Sequence, residues 1–275
     1  MKIAVTGASG FIGRHVVAEL LRKNIEVVAV TRNNGLSIKA DQNIRLVTLD
    51  IAHQVKECFT LLGRPDVLLH LAWDGLPNYT SLHHFESELP RQYHFLKQLI
   101  DAGLPNLLVT GTCFEYGLLS GPLAEDTRPQ PNNPYGFAKE ALHQQLEFLK
   151  TANPFNLIWG RLFYMYGEGQ PGRSLFSQLR DAVLRGEKTF NMSGGEQLRD
   201  YLPVTMVAKK LVQLALSGQD MGTINICSGI PVSVRSLVEQ WIKQYSWDIE
   251  LNLGFYQYPD HEPMAYWGKT SSPIH

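Results

Sequence analysis

Residues 5–14 read VTGASGFIGR and hold Gly7, Gly10 and Gly13 in the spacing G-x-x-G-x-x-G, almost at the start of the 275-residue chain. The apolar run KIAVT at 2–6 leads into this stretch, and a helical pattern at 11–23 follows it. Glycine loses more conformational freedom on folding than any other residue, so three of them here indicate a backbone requirement. A glycine-rich turn between a strand and a helix is typical of a dinucleotide-binding fold.

Each glycine has its own physical role in such a turn. Gly7 permits the tight bend, Gly10 lets a pyrophosphate approach backbone N–H groups, and Gly13 lets the helix pack closely on the strand. The helix N-terminus adds positive potential toward the phosphates. An ordinary strand–turn–helix with incidental glycines is the alternative, but strand, glycines and helix all agree. We expect Ser9, Phe11 and Ile12 to contact the dinucleotide as well.

The rest of the chain repeats this alternation of strand and helix. Near-continuous apolar runs are typical of strands buried on both faces, as in a parallel sheet. We therefore predict a doubly wound parallel α/β sheet over 1–163, with a smaller C-terminal lobe over 164–275 that is partly intermixed with the sheet. Pro90 should kink or restart the long helix. The predicted strands are 2–6, 26–31, 44–48, 66–72, 106–110 and 223–227, and the predicted helices are 11–23, 52–62, 79–102, 174–185, 204–216 and 232–245.

Composition excludes several function classes. With 25 basic and 26 acidic side chains, the formal net charge of −1 gives no general attraction to nucleic acid or to an anionic membrane. The cysteines at 58, 113 and 227 have no metal-ligand spacing and suit a reducing cytoplasm. No apolar run reaches the roughly 18 residues of a membrane span. His83, His84 and His94 suggest a metal cluster at first sight, but we expect a solvated helix face and no metal.

Several motifs together carry a resemblance to a known family. The spacing G-x-x-G-x-x-G resembles the short-chain dehydrogenase/reductase superfamily, especially its extended branch of nucleotide-sugar enzymes. The stretches LD at 49–50, HLAW at 70–73, YGFAK at 135–139 and RDYLPV at 199–204 are similar to further motifs of that branch. The resemblance covers most of the chain and implies a Rossmann fold. It also implies that Asp50, Ile51, Leu71, Ala72 and Trp73 bind the cofactor.

The resemblance implies a catalytic trio of Thr112, Tyr135 and Lys139. Tyr135 and Lys139 are four residues apart and therefore project from one face of a helix. A neighbouring ammonium and a positive nicotinamide ring should lower the phenol pKa from its usual value of about 10. Lys139 would also hydrogen-bond the nicotinamide ribose. Thr112, from VTGTCFEYG, would hydrogen-bond the substrate oxygen beside Tyr135, unless it is only a strand end.

The end of the second predicted strand bears on the choice of cofactor. Relatives that prefer NAD usually have an aspartate there, whereas this chain has Thr31 followed by Arg32. An arginine can pair with a 2′-phosphate, which a carboxylate would repel. We therefore favour NADP(H), with NAD(H) as the alternative and Arg32 as a solvated loop charge in that case.

The same motifs limit the reaction. Family dehydratases place an acidic pair directly after the hydroxyl, where this chain has Cys113 and Phe114, and Glu115 comes one residue late.

Two further residues are expected to bind substrate. Tyr164 replaces an asparagine that, in relatives, often meets the substrate diphosphate. Arg199 matches an arginine that, in relatives, typically contacts the substrate phosphate. The alternative is an internal salt bridge between Arg199 and Asp200.

These residues lead to a functional hypothesis. We expect an NADP(H)-dependent reductase of a nucleoside-diphosphate 4-keto-6-deoxyhexose in deoxysugar or surface-polysaccharide biosynthesis. A C4 epimerase of a nucleotide sugar is the first alternative, and a non-catalytic NADP(H)-sensing regulator is the second. Relatives commonly pair through the helices that correspond to 79–102 and 134–149, so we expect a homodimer in the cytoplasm.

Overall fold

A computed structural model describes residues 1–32, 42–53, 55–258 and 262–270. The strands are β1 Lys2–Thr6, β2 Glu26–Thr31, β3 Ile44–Thr48, β4 Val67–His70, β5 Asn106–Thr112, β6 Gly121–Leu123, β7 Asn156–Leu162, β8 Tyr164–Tyr166, β9 Thr189–Asn191, β10 Leu198–Arg199, β11 Tyr201–Pro203, β12 Gly222–Ile226, β13 Val232–Ser233, β14 Glu250–Asn252 and β15 Tyr266–Gly268. The helices are α1 Phe11–Arg22, α2 Cys58–Leu61, α3 Leu89–Asp101, α4 Pro134–Ala152, α5 Leu175–Leu184, α6 Val204–Ala215 and α7 Val234–Tyr245.

Seven of these strands form one parallel sheet in the order β12-β7-β5-β4-β1-β2-β3. The strand order reverses between β1 and β4, and a crevice opens there beyond the carboxyl ends of the strands, which is where such sheets bind ligands. The predicted doubly wound parallel sheet is therefore confirmed.

Both faces of the sheet are buried. On one face, Leu96 of α3 and Leu142 of α4 belong to the apolar core, and on the other Val16 of α1 and Leu211 of α6 do so. All four side chains are fully buried. Burial on two faces explains why the strands are nearly continuous apolar runs.

The predicted helix at 79–102 is divided where proline requires it. A π-helix spans His84–Glu88, and α3 then begins at Leu89 with Pro90 in its first turn. Proline lacks an N–H and is tolerated in the first turn of a helix but not in its interior. The expected restart at Pro90 is confirmed.

Some predicted elements have other bounds. The predicted helix at 52–62 is reduced to Cys58–Leu61, and its residue 54 lies outside the described residues. Strand β7 was not predicted, although the run FNLIWGRL at 155–162 is apolar enough to indicate a buried strand.

The C-terminal part builds a second core. Phe176, Trp241 and Leu237 pack together beside short two-stranded sheets such as β14-β9. From the same part of the chain, β12 pairs with β7 in the main sheet. The 164–275 segment thus contributes to the main sheet as well as to its own core. Across the ranges that the structure describes, no helix is both long and apolar enough to cross a bilayer.

Candidate active site

The glycine turn has the geometry that its spacing predicts. Gly7 has φ +67°, and a Cβ there would lie 2.9 Å from the Ala72 backbone nitrogen. A Cβ on Gly13 would lie 2.1 Å from the Gly7 carbonyl oxygen, so only glycine lets α1 approach the turn this closely. A Cβ on Gly10 would lie 3.1 Å from that same oxygen, which is tight but less severe. The turn therefore leaves a cradle that side chains would fill.

A cleft of about 690 Å³ opens above this turn. Its wall includes most of the residues predicted to bind the dinucleotide, namely Gly7, Ser9, Gly10, Thr31, Arg32, Asp50, Ile51, Leu71, Ala72 and Trp73. Phe11, Ile12 and Gly13 lie in the first turn of α1 and do not line the cleft, and Lys139 lies on α4. The size of the cleft and its glycine cradle fit a dinucleotide whose pyrophosphate lies at the N-terminus of α1.

Arg32 has an ionic partner at the mouth of the cleft. Its Nη1 lies 3.3 Å from Oδ1 of Asp74, and the two side chains are 63% and 51% exposed. Arg32 follows β2 and Asp74 follows β4, so the pair reaches across the end of β1, which lies between these strands. A 2′-phosphate would have to compete with Asp74 for this guanidinium.

The structure brings Thr112, Tyr135 and Lys139 together. Thr112 ends β5, and the Asn133 side chain caps α4 by accepting from the Gly136 N–H at 2.8 Å. Tyr135 and Lys139 therefore lie in the first two turns of α4, and all three side chains of the trio are buried. The Thr112 hydroxyl lies close enough to the Tyr135 phenol to lower its pKa. Nζ of Lys139 donates to the Thr110 carbonyl at 2.9 Å.

Burial dominates the electrostatics of the trio. It raises the pKa of Tyr135 well above its usual range, with further contributions from Tyr79 and Glu115, whereas Thr112 acts in the opposite direction. Burial also lowers the pKa of Lys139 to about 7. The lowered tyrosine pKa that is expected from Lys139 together with a bound nicotinamide stays a prediction, and in the protein alone desolvation of the phenolate dominates.

The Glu115 side chain is buried, and its carboxylate is bound by neighbouring groups of the protein and not directed toward substrate. Its carboxylate accepts from the Thr112 N–H at 2.8 Å in a capping box and from the Arg161 guanidinium at 2.5 Å. Trp159 donates its indole N–H to the same carboxylate at 3.0 Å. Sequence reasoning missed this role, although T-x-x-E at 112–115 is the signature of a capping box.

A second buried chain of hydrogen bonds supports the turn that follows β4. The Thr6 hydroxyl lies 2.8 Å from Nδ1 of His70, and Nε2 of His70 lies 2.5 Å from Oε1 of Gln92. The Gln92 amide donates to Glu88 at 2.6 Å, and Glu88 also accepts from the Asp74 N–H at 2.9 Å. Burial lowers the pKa of His70 to about 3, so its ring is neutral at neutral pH. These contacts fix the backbone that carries the HLAW motif.

The histidines differ from their predicted setting. His94 is exposed, but His84 is fully buried and its ring centroid lies 5.2 Å from that of Tyr135. The expected solvated face is therefore wrong for His84, because the π-helix turns its side chain inward. Among the residues that the structure describes, no group of His, Cys, Asp and Glu could hold a metal ion.

Tyr164 and Arg199 line a second cavity of about 320 Å³. Arg199 is buried, and its Nη2 lies 3.0 Å from Oε2 of Glu262. Tyr164 accepts a hydrogen bond from the Tyr266 hydroxyl at 2.6 Å. The predicted alternative partner of Arg199, Asp200, instead accepts from the N–H groups that follow β12. The two predicted substrate residues thus share one polar wall.

Comparison with known proteins agrees with this geometry. The model of the NAD dependent epimerase/dehydratase family matches residues 3–227. A dTDP-6-deoxy-L-talose 4-dehydrogenase (NAD(+)) from Aggregatibacter actinomycetemcomitans is 31% identical over 98% of this chain and 99% of its own. A structure of MoeE5 in complex with UDP-glucuronic acid and NAD is 27% identical, with a TM-score of 0.81 over 98% of this chain and 90% of that chain. A GDP-6-deoxy-D-talose 4-dehydrogenase from the same bacterium is 24% identical over 94% of this chain and 86% of its own. The protein belongs to the NAD dependent epimerase/dehydratase family of nucleotide-sugar enzymes.

Proposed function

We propose that this protein transfers hydride at C4 of a nucleoside-diphosphate 6-deoxyhexose and that it works as a reductase of the 4-keto sugar. The observation that carries the proposal is the buried trio of Thr112, Tyr135 and Lys139 beside the glycine cleft. Two relatives are named as 4-dehydrogenases of 6-deoxytalose nucleotides. Reduction of a 4-keto-6-deoxyhexose is the reverse of such a dehydrogenation.

The three side chains have distinct tasks in this reaction. The Tyr135 hydroxyl donates its proton to the C4 oxygen, and the Thr112 hydroxyl aligns that oxygen beside it. The Lys139 ammonium lies beside Tyr135, with Nζ 6.0 Å from the centroid of the phenol ring, and its positive charge favours the phenolate that remains after proton donation. The nicotinamide supplies hydride when it is bound. Glu115 takes no part, because its carboxylate is neutralised by Arg161, and this disfavours elimination of water.

The substrate diphosphate belongs in the second cavity. Arg199 offers a guanidinium, and Tyr164 offers a hydroxyl in the place of the asparagine that relatives have. When a diphosphate enters, Arg199 would either leave Glu262 or bind the carboxylate and the diphosphate together. This arrangement supports a nucleotide-sugar substrate.

The choice of dinucleotide depends on Arg32. Arg32 lies at the cleft, where the predicted preference for NADP(H) requires it, but its pairing with Asp74 and the NAD named for relatives favour NAD(H). A preference for NADP(H) requires that a 2′-phosphate displaces Asp74 from the guanidinium. The cytoplasmic location that we propose is supported by three buried cysteines that form no disulfide.

A C4 epimerase is the second candidate, because relatives named UDP-glucose 4-epimerase match most of the chain. An epimerase oxidises and then reduces one substrate, so it has no net consumption of dinucleotide. The regulator hypothesis has less support, since a binding module has no need of all three catalytic side chains.

The experiment measures dinucleotide consumption and product together. Incubation with a dTDP- or GDP-linked 4-keto-6-deoxyhexose should consume NADH or NADPH one-for-one and yield the 4-hydroxy-6-deoxy nucleotide. Conversion of a non-keto sugar nucleotide to its C4 epimer at constant nicotinamide absorbance would instead establish the epimerase. A protein that binds dinucleotide but converts neither kind of substrate would be the regulator.

A further inference from the structure

The indole of Trp73 lies against both catalytic side chains of α4. Nζ of Lys139 is 3.9 Å from the centroid of the indole ring. The ring of Tyr135 meets the indole edge-on with centroids 5.9 Å apart. An ammonium over an indole face is stabilised by the ring quadrupole, most strongly where water is excluded. The position of this indole therefore affects where the lysine ammonium lies.

His84 contacts the indole at its N–H edge. The Trp73 Nε1–H donates to Nδ1 of His84 at 3.1 Å, and the two ring planes differ by 29° with their centroids 6.4 Å apart, so the rings meet edge to edge. Nε2 of His84 donates to the Asn78 carbonyl at 2.8 Å. Both ring nitrogens are thus engaged, one as acceptor and one as donor, which requires the neutral imidazole. Burial lowers the pKa of His84 and favours that form.

We propose that His84 is a positioning residue for the catalytic pair and acts through Trp73. The imidazole fixes the indole by a hydrogen bond, and the indole in turn sets the Lys139 ammonium and the Tyr135 ring. This inference rests on the proposed function only in so far as Tyr135 and Lys139 are catalytic. It adds a histidine that touches no reacting atom but affects turnover.

A double-mutant cycle tests whether His84 and Trp73 act through their shared hydrogen bond or affect turnover independently. His84→Phe keeps an aromatic ring at this position but removes both hydrogen bonds, and Trp73→Phe keeps a ring beneath Lys139 but removes the N–H. Each should lower kcat about three- to tenfold, the range for one hydrogen bond. In His84→Phe the Kd for dinucleotide should change less than about twofold, because His84 does not line the glycine cleft. Because both changes break the same hydrogen bond, the double variant should be no slower than the slower single variant.

The matched control is His94→Phe, the same substitution at an exposed histidine, which should leave kcat unchanged. Multiplicative losses in the double variant would overturn the proposal, and so would a normal kcat in His84→Phe. If His84→Phe does not fold, judged by circular dichroism, Trp73→Phe decides alone, since it breaks the hydrogen bond from the other side. A normal kcat in that variant would then overturn the proposal.

A second measurement needs no substrate. The Lys139 side-chain protons over the indole should show a ring-current shift in NMR, and the Trp73 indole N–H should exchange slowly with solvent. Both signatures should be lost in His84→Phe and kept in His94→Phe. Retention of both in His84→Phe would overturn the positioning role. If no sugar nucleotide turns over in the unmodified protein, the proposed function fails while this measurement still tests His84.

Discussion

Lys139 illustrates how one buried charge is tuned. Water is excluded from its ammonium, which contacts the Thr110 carbonyl and the Trp73 ring. Desolvation lowers the pKa of Lys139 to about 7, although Glu115 and Glu88 act in the opposite direction. A lysine with this pKa changes its charge near neutral pH, so its electrostatic effect on the neighbouring phenol also changes there. The chemistry depends on the exclusion of water as much as on the residue type.

The first prediction concerns the proton donor. Tyr135→Phe should lower kcat by a factor of about a hundred or more, because general acid catalysis typically contributes that much. Dinucleotide binding should stay close to that of the unmodified protein, since Tyr135 does not line the glycine cleft. Steady-state kinetics and calorimetric titration measure the two effects. Tyr93→Phe, on α3, is the control, and near-normal turnover in Tyr135→Phe would refute the catalytic role.

The second prediction concerns Arg32. If the protein prefers NADP(H), Arg32→Ala should weaken NADPH binding by about 1–3 kcal/mol, the range for a lost charged hydrogen bond, and leave NADH binding unchanged. Asp74→Asn should strengthen NADPH binding, because it releases the guanidinium from its present partner. Titration of both dinucleotides decides the question. Equal changes for the two would show that Arg32 does not bind the 2′-phosphate.

At the scale of elements, the turn between β1 and α1 has two separate roles, helix packing and ligand approach. Gly13 faces the backbone of the turn, whereas a Cβ on Gly10 would make only one tight backbone contact. One glycine therefore serves the packing of α1, and the other serves the approach of the pyrophosphate. Glycine is thus required at the two positions for different physical reasons.

The third prediction separates these two jobs. Gly13→Ala should lower the melting temperature strongly, because its Cβ would lie 2.1 Å from the Gly7 oxygen and α1 would have to move. Gly10→Ala should instead weaken dinucleotide binding while the melting temperature changes little. Thermal unfolding and calorimetric titration of both variants test this. The same loss of stability in both variants would contradict the division.

For the whole molecule, an exposed apolar strip on α4 bears on assembly. Phe137 and Phe148 are 52% and 74% exposed, and their spacing of eleven residues places them on one side of the helix. The Phe85 ring meets the Phe137 ring edge-on at 5.9 Å. Large exposed aromatic side chains on one face favour association. The strip therefore supports the homodimer that the resemblance implies through these helices.

The fourth prediction tests that dimer. Light scattering after size-exclusion chromatography should find a mass of about twice 31.0 kDa. Phe148→Asp should shift the protein toward the monomer, because a carboxylate in an apolar interface is costly to desolvate. Leu184→Asp is the matched control, since Leu184 is 76% exposed but lies on α5. A monomeric unmodified protein, or equal effects of the two substitutions, would refute the interface.

Local pattern was enough for the first half of the sheet. Strands β1, β2 and β3 coincide with the predicted ranges, and the restart at Pro90 follows from the chemistry of proline alone. The glycine turn and the spacing of Tyr135 and Lys139 are also local, since they depend on neighbours within one turn or one helix. Signals of this kind are carried by residues close in the chain, and the sequence by itself determined them.

Only the tertiary structure decided the partners that come from distant parts of the chain. Arg161 meets Glu115 across 46 positions, and Arg199 meets Glu262 across 63. His84 is buried because a π-helix and the turn after β4 meet at its ring, although its helical pattern indicated a solvated face. The physical reason is that chain closure over long separations is set by the packing of whole elements. No pattern within a single element specifies which charge another element will bring to it.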